Sequence, residues 1–317
     1  MPPKTTFQSD HDSRHRLRVL QDLWQASGHL SIDDKWVPMT GGRTNHVWRI
    51  TRSDAPIICK LYPPGADTPL FTNNPQGEAV ALRALSGKGL TPDLIASLET
   101  PLGHSVLLTN IDGDTWRADE TWFPSIAAML GRLHRFAPPA GLPNLPLDAS
   151  HLRQQCEKMI AELGDDACDL VALRPELPTL PDATPAFLHG DPVPGNILVR
   201  ENEPVLIDWQ CPAIGDACDD LSLFLSPAMQ AVNGAKPLSR KQENTFLNAY
   251  GNSETITRLQ VLRPYYHWRM ALYCRWKTIS GDHAYRAAEA LEVERLAQPI
   301  TPCQPKPRQG SAQTPRR

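Results

Sequence analysis

The sequence predicts an α+β protein of two lobes: a strand-rich N-terminal part and a larger, mainly helical C-terminal part. Three observations predict it. Short apolar runs punctuated by Gly, Pro and Asn fill residues 36–109. From residue 122 onward apolar residues recur at helical spacing over long stretches. Within that helical part, residues 187–210 (FLHGDPVPGNILVRENEPVLIDWQ) place two apolar runs around a polar turn, the pattern of a β-hairpin with a longer loop. Strands first and helices afterwards give an α+β arrangement rather than alternating βαβ units.

The 317 residues suffice for two modest lobes. A hydrophobic share of 41% with 21% charged residues is that of a globular protein. The net charge of −3 argues against a nucleic-acid binder. Seven cysteines, an odd number with no C-x-x-C pair, suit unbridged thiols in a reducing compartment. No apolar run approaches the ~20 residues of a membrane span. The first residues lack the apolar core of a signal peptide. A cytoplasmic protein is expected, with no membrane, nucleic-acid or protein partner implied.

Taken in order, residues 1–12 are polar and expected to be disordered. From Ser13, Leu17, Leu20 and Trp24 recur at helical spacing up to Gly28. Residues 36–39 and 46–50 read as strands around the turn Thr40-Gly41-Gly42-Arg43-Thr44-Asn45. Two glycines there permit close backbone approach to an anion, although an ordinary hairpin uses them equally. Residues 56–62 form a third strand with Lys60 among apolar neighbours, a lysine that needs a partner or an exposed side. Asn74 and Pro75 open a helix whose first turn carries Glu78. Strands follow at 94–96 and 105–109, and the lobe boundary is placed near Ile111, giving lobes of 13–111 and 112–297. Residues 122–136 read as a helix, followed by helices near 150–163 and 165–173, Pro-rich connectors and the hairpin. Helices at 238–250, 254–279 and 282–297 complete the fold, and the tail 298–317 is expected to be disordered.

The hairpin carries the chemistry. Asp191 and Asn196 are five apart, and Asp208 follows the second apolar run, so the chain returns Asp208 beside Asn196. An amide oxygen and a carboxylate at neighbouring strand ends are hard ligands for Mg²⁺, which retains waters and substrate phosphates around them. A further Asp on the preceding loop can take a proton from a hydroxyl. This is the layout of phosphoryl transfer, H-R-D-x-x-x-x-N followed by D-F-G. Here the chain reads H-G-D-P-V-P-G-N and I-D-W-Q, keeping the D-x4-N spacing but lacking the Arg, Phe and Gly.

In this form the two motifs resemble the aminoglycoside phosphotransferase and choline kinase family, which acts on small molecules with a protein-kinase-like fold. The resemblance covers about residues 36–280. It implies a nucleotide-binding N-terminal lobe and a C-terminal lobe carrying the catalytic hairpin. It implies Asp191 as base, Asn196 and Asp208 on Mg²⁺, and ATP as phosphoryl donor. It further implies Lys60 on the phosphates, held by Glu78, with Gly41, Gly42 and Asn45 in the covering turn and His189 shaping the loop. The G-D-x-x-x-D-L pattern matches Asp216 and Asp220; the later residue would support the catalytic loop and the earlier one would face the substrate, but both also suit simple helix caps. Tyr265 and Trp268, with Leu272 and Trp276, share a helix face that reads either as core or as an aromatic wall for a quaternary ammonium ligand.

Many family members carry a His two residues after the base, where this chain has Val193. That departure points toward a choline-like or other amino-alcohol acceptor. An aminoglycoside acceptor remains an alternative, with Asp216, Asp219 and Asp220 as its carboxylates; so does a catalytically silent nucleotide-binding module. A protein kinase does not fit, because Asp208 to Asp220 leaves no room for an activation loop.

Overall fold

The computed structural model describes residues 10–39, 44–200 and 203–298. The N-terminal part is one antiparallel sheet between two helices. Helix α1 (Asp10–Ala26) precedes strands β1 (Lys35–Pro38), β2 (His46–Thr51) and β3 (Ile57–Tyr62). Helix α2 (Pro75–Leu85) comes next, then β4 (Leu94–Thr100) and β5 (Gly103–Thr109). The strand order is β1-β2-β3-β5-β4, which leaves β3 in the centre.

Because strand side chains alternate between faces, Cys59 and Leu61 join Leu20 and Trp24 of α1 in one cluster. Trp24 Nε1 also donates to Ser105 Oγ on β5 (3.1 Å). Lys60 and Tyr62 face the other way, where Tyr62 packs with Leu82 and Leu85 of α2. Asn74 caps α2 by accepting from the Gly77 N–H (2.9 Å). This places Glu78 in the first turn, where the helix dipole favours an acid.

After residues 110–113 the short β6 (Asp114–Thr115) leads to α3 (Phe123–Arg135), α4 (Ser150–Leu163) and α5 (Cys168–Ala172). The expected helix over 165–173 is divided: a 3-10 turn over Gly164–Ala167 occupies its start. Strands β7 (Ala186–Leu188), β8 (Ile197–Arg200), β9 (Glu203–Leu206) and β10 (Ala213–Gly215) follow. They form two small sheets, β6-β8-β9 and β10-β7, that frame the loop between them. Helices α6 (Ala217–Phe224), α7 (Pro227–Val232), α8 (Arg240–Tyr250), α9 (Ser253–Ile279) and α10 (Tyr285–Ala297) complete the chain. Strands β6, β7 and β10 and helix α7 have no counterpart in the expected elements; each is six residues or fewer, too short to develop a period.

Helix α9 is the axis of this part, packing on α10, α4 and α6. It is buried all round from Tyr265 to Cys274. One continuous core joins α2, α3, the hairpin and α9, so the hairpin is held from several sides. Six cysteines stand as free thiols among the described residues. None of the described helices is long and apolar enough to cross a membrane.

Candidate active site

Strand β7 delivers His189, Gly190 and Asp191 into a loop fixed from behind. Both oxygens of the buried Asp220 accept backbone N–H groups, from His189 and from Gly190, each at 2.8 Å. Asp220 also lies 3.2 Å from His134 Nε2. The His189 ring accepts the Asp191 N–H at Nδ1 (3.2 Å) and donates from Nε2 to the Ile207 carbonyl (3.0 Å). Burial pushes the His189 pKa down, so the ring stays neutral, as one donor and one acceptor nitrogen require. Trp209 sets an edge against it at 4.5 Å between ring centroids.

Gly190 explains the missing arginine. Its φ is +82°, and a Cβ there would stand 2.0 Å from the Cys211 carbonyl oxygen. No side chain fits that approach.

Asp191 is the least satisfied acid of the loop. Its Oδ2 accepts from Asn196 Nδ2 (3.1 Å), which also donates to the Asp191 carbonyl (2.9 Å). Its Oδ1 is buried without a hydrogen-bond partner. Burial, and then the neighbouring charge of Asp208, push its pKa up to about 8. Asn196 itself sits in a 3-10 turn over Pro194–Asn196 rather than entering the strand, because the chain must turn before β8. Its carbonyl accepts the Ile207 N–H (2.9 Å), which ties the two ends of the hairpin together. Asp208 then takes a left-handed backbone, φ +62°, a conformation that Asp tolerates better than most residues. That turn aims its carboxylate at the N-terminal sheet.

There it meets Lys60. The ammonium is buried and donates to Glu78 Oε2 (2.9 Å) and to Asp208 Oδ1. Burial opposes the charge on Lys60, but Asp208 and Glu78 outweigh it and hold the pKa above its ordinary value. Burial raises the pKa of Glu78 against the pull of Lys60.

Asn45 makes a second bridge between the two parts. Its Nδ2 donates to Gln210 Oε1 (2.6 Å) and to Asn73 Oδ1 (3.0 Å). Gln210 is the residue that stands two beyond Asp208 in I-D-W-Q. Gly41 and Gly42, the glycines expected over the phosphates, lie outside the described residues.

Two readings that the sequence left open are decided by the packing. Asp216 does not face the cleft: it is buried, caps α6 through the Cys218 N–H (2.9 Å) and pairs with Arg258. Tyr265 and Trp268 do not form a ligand wall: both are buried, and Trp268 Nε1 donates to the Leu170 carbonyl (2.6 Å). Because α9 is enclosed around that stretch, its aromatic residues are core on every side. Asp219 is likewise engaged, with His151 Nε2 at 2.9 Å and Arg269 at 3.3 Å.

The cleft that holds Asp191, Asn196, Asp208 and Gln210 extends over Thr68 and Phe71 on one side and Met229 and Asn233 on another, and ends at Tyr273, Lys277 and Tyr285. These three were missed in the sequence because Tyr273 and Lys277 each follow a member of the stripe, Leu272 and Trp276, by one residue and so lie on an adjacent face of α9, while Tyr285 is on the next helix. As to a metal, the described residues hold no group of three His, Cys, Asp or Glu able to cage an ion. The two hard oxygens of Asn196 and Asp208 still fit Mg²⁺, which takes few protein ligands and completes its shell with water and phosphate. With the Asn196 amide nitrogen turned to Asp191, its carbonyl oxygen is the atom left for a cation.

A model of the phosphotransferase enzyme family matches residues 35–265. The chain belongs to this family. Among solved structures it is similar to an ethanolamine kinase of Plasmodium vivax, at 13% identity and a TM-score of 0.62, over 94% of this chain and 91% of that one. It is also similar to a choline/ethanolamine kinase family protein of Mesorhizobium loti, at 15% identity and TM-score 0.59, over 90% and 92%. A spectinomycin phosphotransferase in complex with ADP and spectinomycin aligns at 14% identity and TM-score 0.56, over 89% and 95%. No curated protein matches the sequence. The family membership and these likenesses establish a protein-kinase-like fold, with the antiparallel N-terminal sheet and the helical C-terminal part described above.

Proposed function

We propose that this phosphotransferase is an ATP-dependent, Mg²⁺-requiring kinase of a small-molecule hydroxyl. The observation that carries the reading is the convergence of the Lys60–Glu78 pair, Asp208, Asn196 and the open oxygen of Asp191 on one cleft. Lys60 steadies the α- and β-phosphates, and Glu78 keeps its ammonium in place. Asn45 anchors the covering turn to the hairpin through Gln210. Asn196 and Asp208 would hold Mg²⁺, which would supply charge neutralisation to the nucleotide phosphates. Asp191 orients the acceptor hydroxyl and takes its proton; the acceptor oxygen bonds to the γ-phosphorus, the bond to the β–γ bridging oxygen breaks, and ADP leaves. A raised proton affinity suits an acid in that role.

Within this reading the acceptor is an amino alcohol, choline-like or of another kind. Val193 in place of a family His supports it, and so do the kinases of choline and ethanolamine among the structural likenesses. The aminoglycoside alternative is weakened by the engagement of Asp216, Asp219 and Asp220 within the fold. The test is ADP release with Mg²⁺-ATP across a panel of amino alcohols, hydroxy acids, sugars and aminoglycosides, with Asp191→Ala as the blank. Acceptor-dependent release that disappears in the variant is expected. Tight Mg²⁺-ATP binding with no acceptor-dependent release across the panel would favour the silent module.

A further inference from the structure

We propose that a cavity between α8, α9 and α10 is a second binding site, for hydrogen phosphate; it goes beyond the kinase reading and does not rest on it. Its walls include Arg240 at the start of α8, Arg263 and His267 on α9, Arg295 in the last turn of α10 and Gln298 just after it. It shares no residue with the cleft that holds Asp191 and Asp208.

The charges of the cavity point to an anion. Three guanidinium groups share one carboxylate: Glu243 meets Arg263 at 2.8 Å, Arg295 at 3.1 Å and Arg240 at 3.3 Å. Glu243 is buried, does not line the cavity and balances one of the three charges. Glu292, the next buried acid at this junction, is taken up by Ser226, the Ala228 N–H and His267. Burial lowers the Arg263 pKa, Glu243 opposes this, and the charges of Arg240 and Arg295 add to the fall. An arginine keeps its charge all the same, so the excess calls for a counter-ion.

The arginines also have donors to spare. Arg263 uses only Nη2, toward Glu243. Arg295 uses only Nη2, toward Glu243 and the Leu238 carbonyl (2.6 Å). A guanidinium carries five N–H donors in a planar fork that matches an oxyanion. The Nε and Nη1 groups of Arg263 and Arg295 make no hydrogen bond among the described residues. One acceptor stands beside these donors. His267 Nδ1 lies 2.5 Å from Glu292 Oε2, and a carboxylate only accepts, so Nδ1 is the donor. The buried Nε2 has no partner, and in this tautomer it is a bare acceptor. Arginine forks around one acceptor nitrogen fit an oxyanion that still carries a proton. Hydrogen phosphate does: its P–O⁻ oxygens accept from the arginines and its P–OH donates to His267 Nε2. Sulfate and chloride have no proton to give. Arg240, Arg295 and Gln298 also border a surface groove, together with Lys236, Lys241, Glu120 and Glu294, which gives the ion a way in.

Thermal melting of the intact protein at neutral pH and constant ionic strength, with sodium phosphate, sulfate or chloride as the varied salt, tests the site. Phosphate is expected to raise the melting temperature with a saturable dependence, and sulfate and chloride to do so much less. Arg240→Gln and Arg295→Gln are each expected to need about 10-fold more phosphate for the same shift, the loss of one charge-assisted hydrogen bond. Arg240 is half-buried and its loss leaves Glu243 two partners, so that variant keeps its fold. Glu243→Gln removes the competing acid; it is expected to melt lower without phosphate and to gain more from phosphate than wild type does. A purely structural ion-pair network does not produce that opposite response. A phosphate shift that is equal in wild type and both arginine variants puts the ion elsewhere and overturns the inference. So does a shift that sulfate or chloride matches, or no shift at all. The wild-type ranking of the three salts decides the matter should Arg295→Gln or Glu243→Gln fold poorly. None of these readouts involves turnover, so failure here leaves the kinase reading standing.

Discussion

Two sets of acids flank the strand β10 in sequence and behave oppositely. Asp216, Asp219 and Asp220 around the start of α6 are fully engaged. The first pairs with Arg258, the second with His151 and Arg269, and the third takes two loop amides and His134. Asp191 and Asp208 face the cleft, and Asp191 keeps a buried oxygen without a partner. A buried polar atom left unsatisfied costs stability, so its presence in one set and absence in the other separates the cleft-facing acids, the proposed machinery, from those engaged within the fold. Burial follows the same division, since Asp216, Asp219 and Asp220 are buried whereas Asp191 and Asp208 are half-buried.

The contrast can be broken from either side. The largest effect is expected at Asp191: its replacement by Ala should lower turnover ~10²–10⁴-fold, the usual range for a lost general base, with the melting temperature held or raised because a poorly solvated acid is removed. Steady-state kinetics and a thermal melt on the same sample check both halves. On the scaffold side, Arg258→Leu strands Asp216 in the core. Removing one partner of a buried pair costs ~3–5 kcal/mol, so denaturant midpoints should fall strongly while turnover per folded molecule stays near wild type. A large drop in turnover with the midpoint unchanged would move Asp216 to the machinery.

The smallest effect is a pH dependence. Asp219, followed by its hydrogen bond, raises the His151 pKa above its ordinary 6.5 against the burial that lowers it. His151 contributes stability that is present below pH 6.5 and lost as pH rises through the higher folded value. His151, despite burial, lowers the Asp219 pKa below 3.8, so that contribution is present above pH 3.8 and lost as pH falls. His151→Gln should therefore be most deficient relative to wild type between those two values and should approach it on the alkaline side. Unfolding midpoints across pH for both proteins test the shape; a deficit that grows with pH contradicts it.

Much of this division was legible in the residues. Asp191, Asn196 and Asp208 stood out because their spacing and the apolar runs between them bring three hard-oxygen side chains to one hairpin end. Lys60 was visible as a charge in an apolar strand, and Glu78 as an acid in a capped first turn. Asp216 was ambiguous because a helix cap and a substrate ligand look alike until the partner, Arg258, arrives from 42 residues downstream. On α9 the periodicity failed for a definite reason. A helix enclosed all round has no polar face to orient the reader, and Tyr265 was no better marked than Tyr273. The cleft end at Lys277 and Tyr285 forms only when α10 folds back on α9, a contact that no local pattern encodes.

The bridge from Asn45 through Gln210 has a mechanical consequence. It joins the start of β2 to a residue two positions from Asp208, so the N-terminal sheet and the end of the hairpin are riveted at one point. Neither can breathe alone on that side. Hydrogen exchange at the Asn45 and Gln210 amides should then follow one shared opening rate, and Gln210→Ala should split it into two.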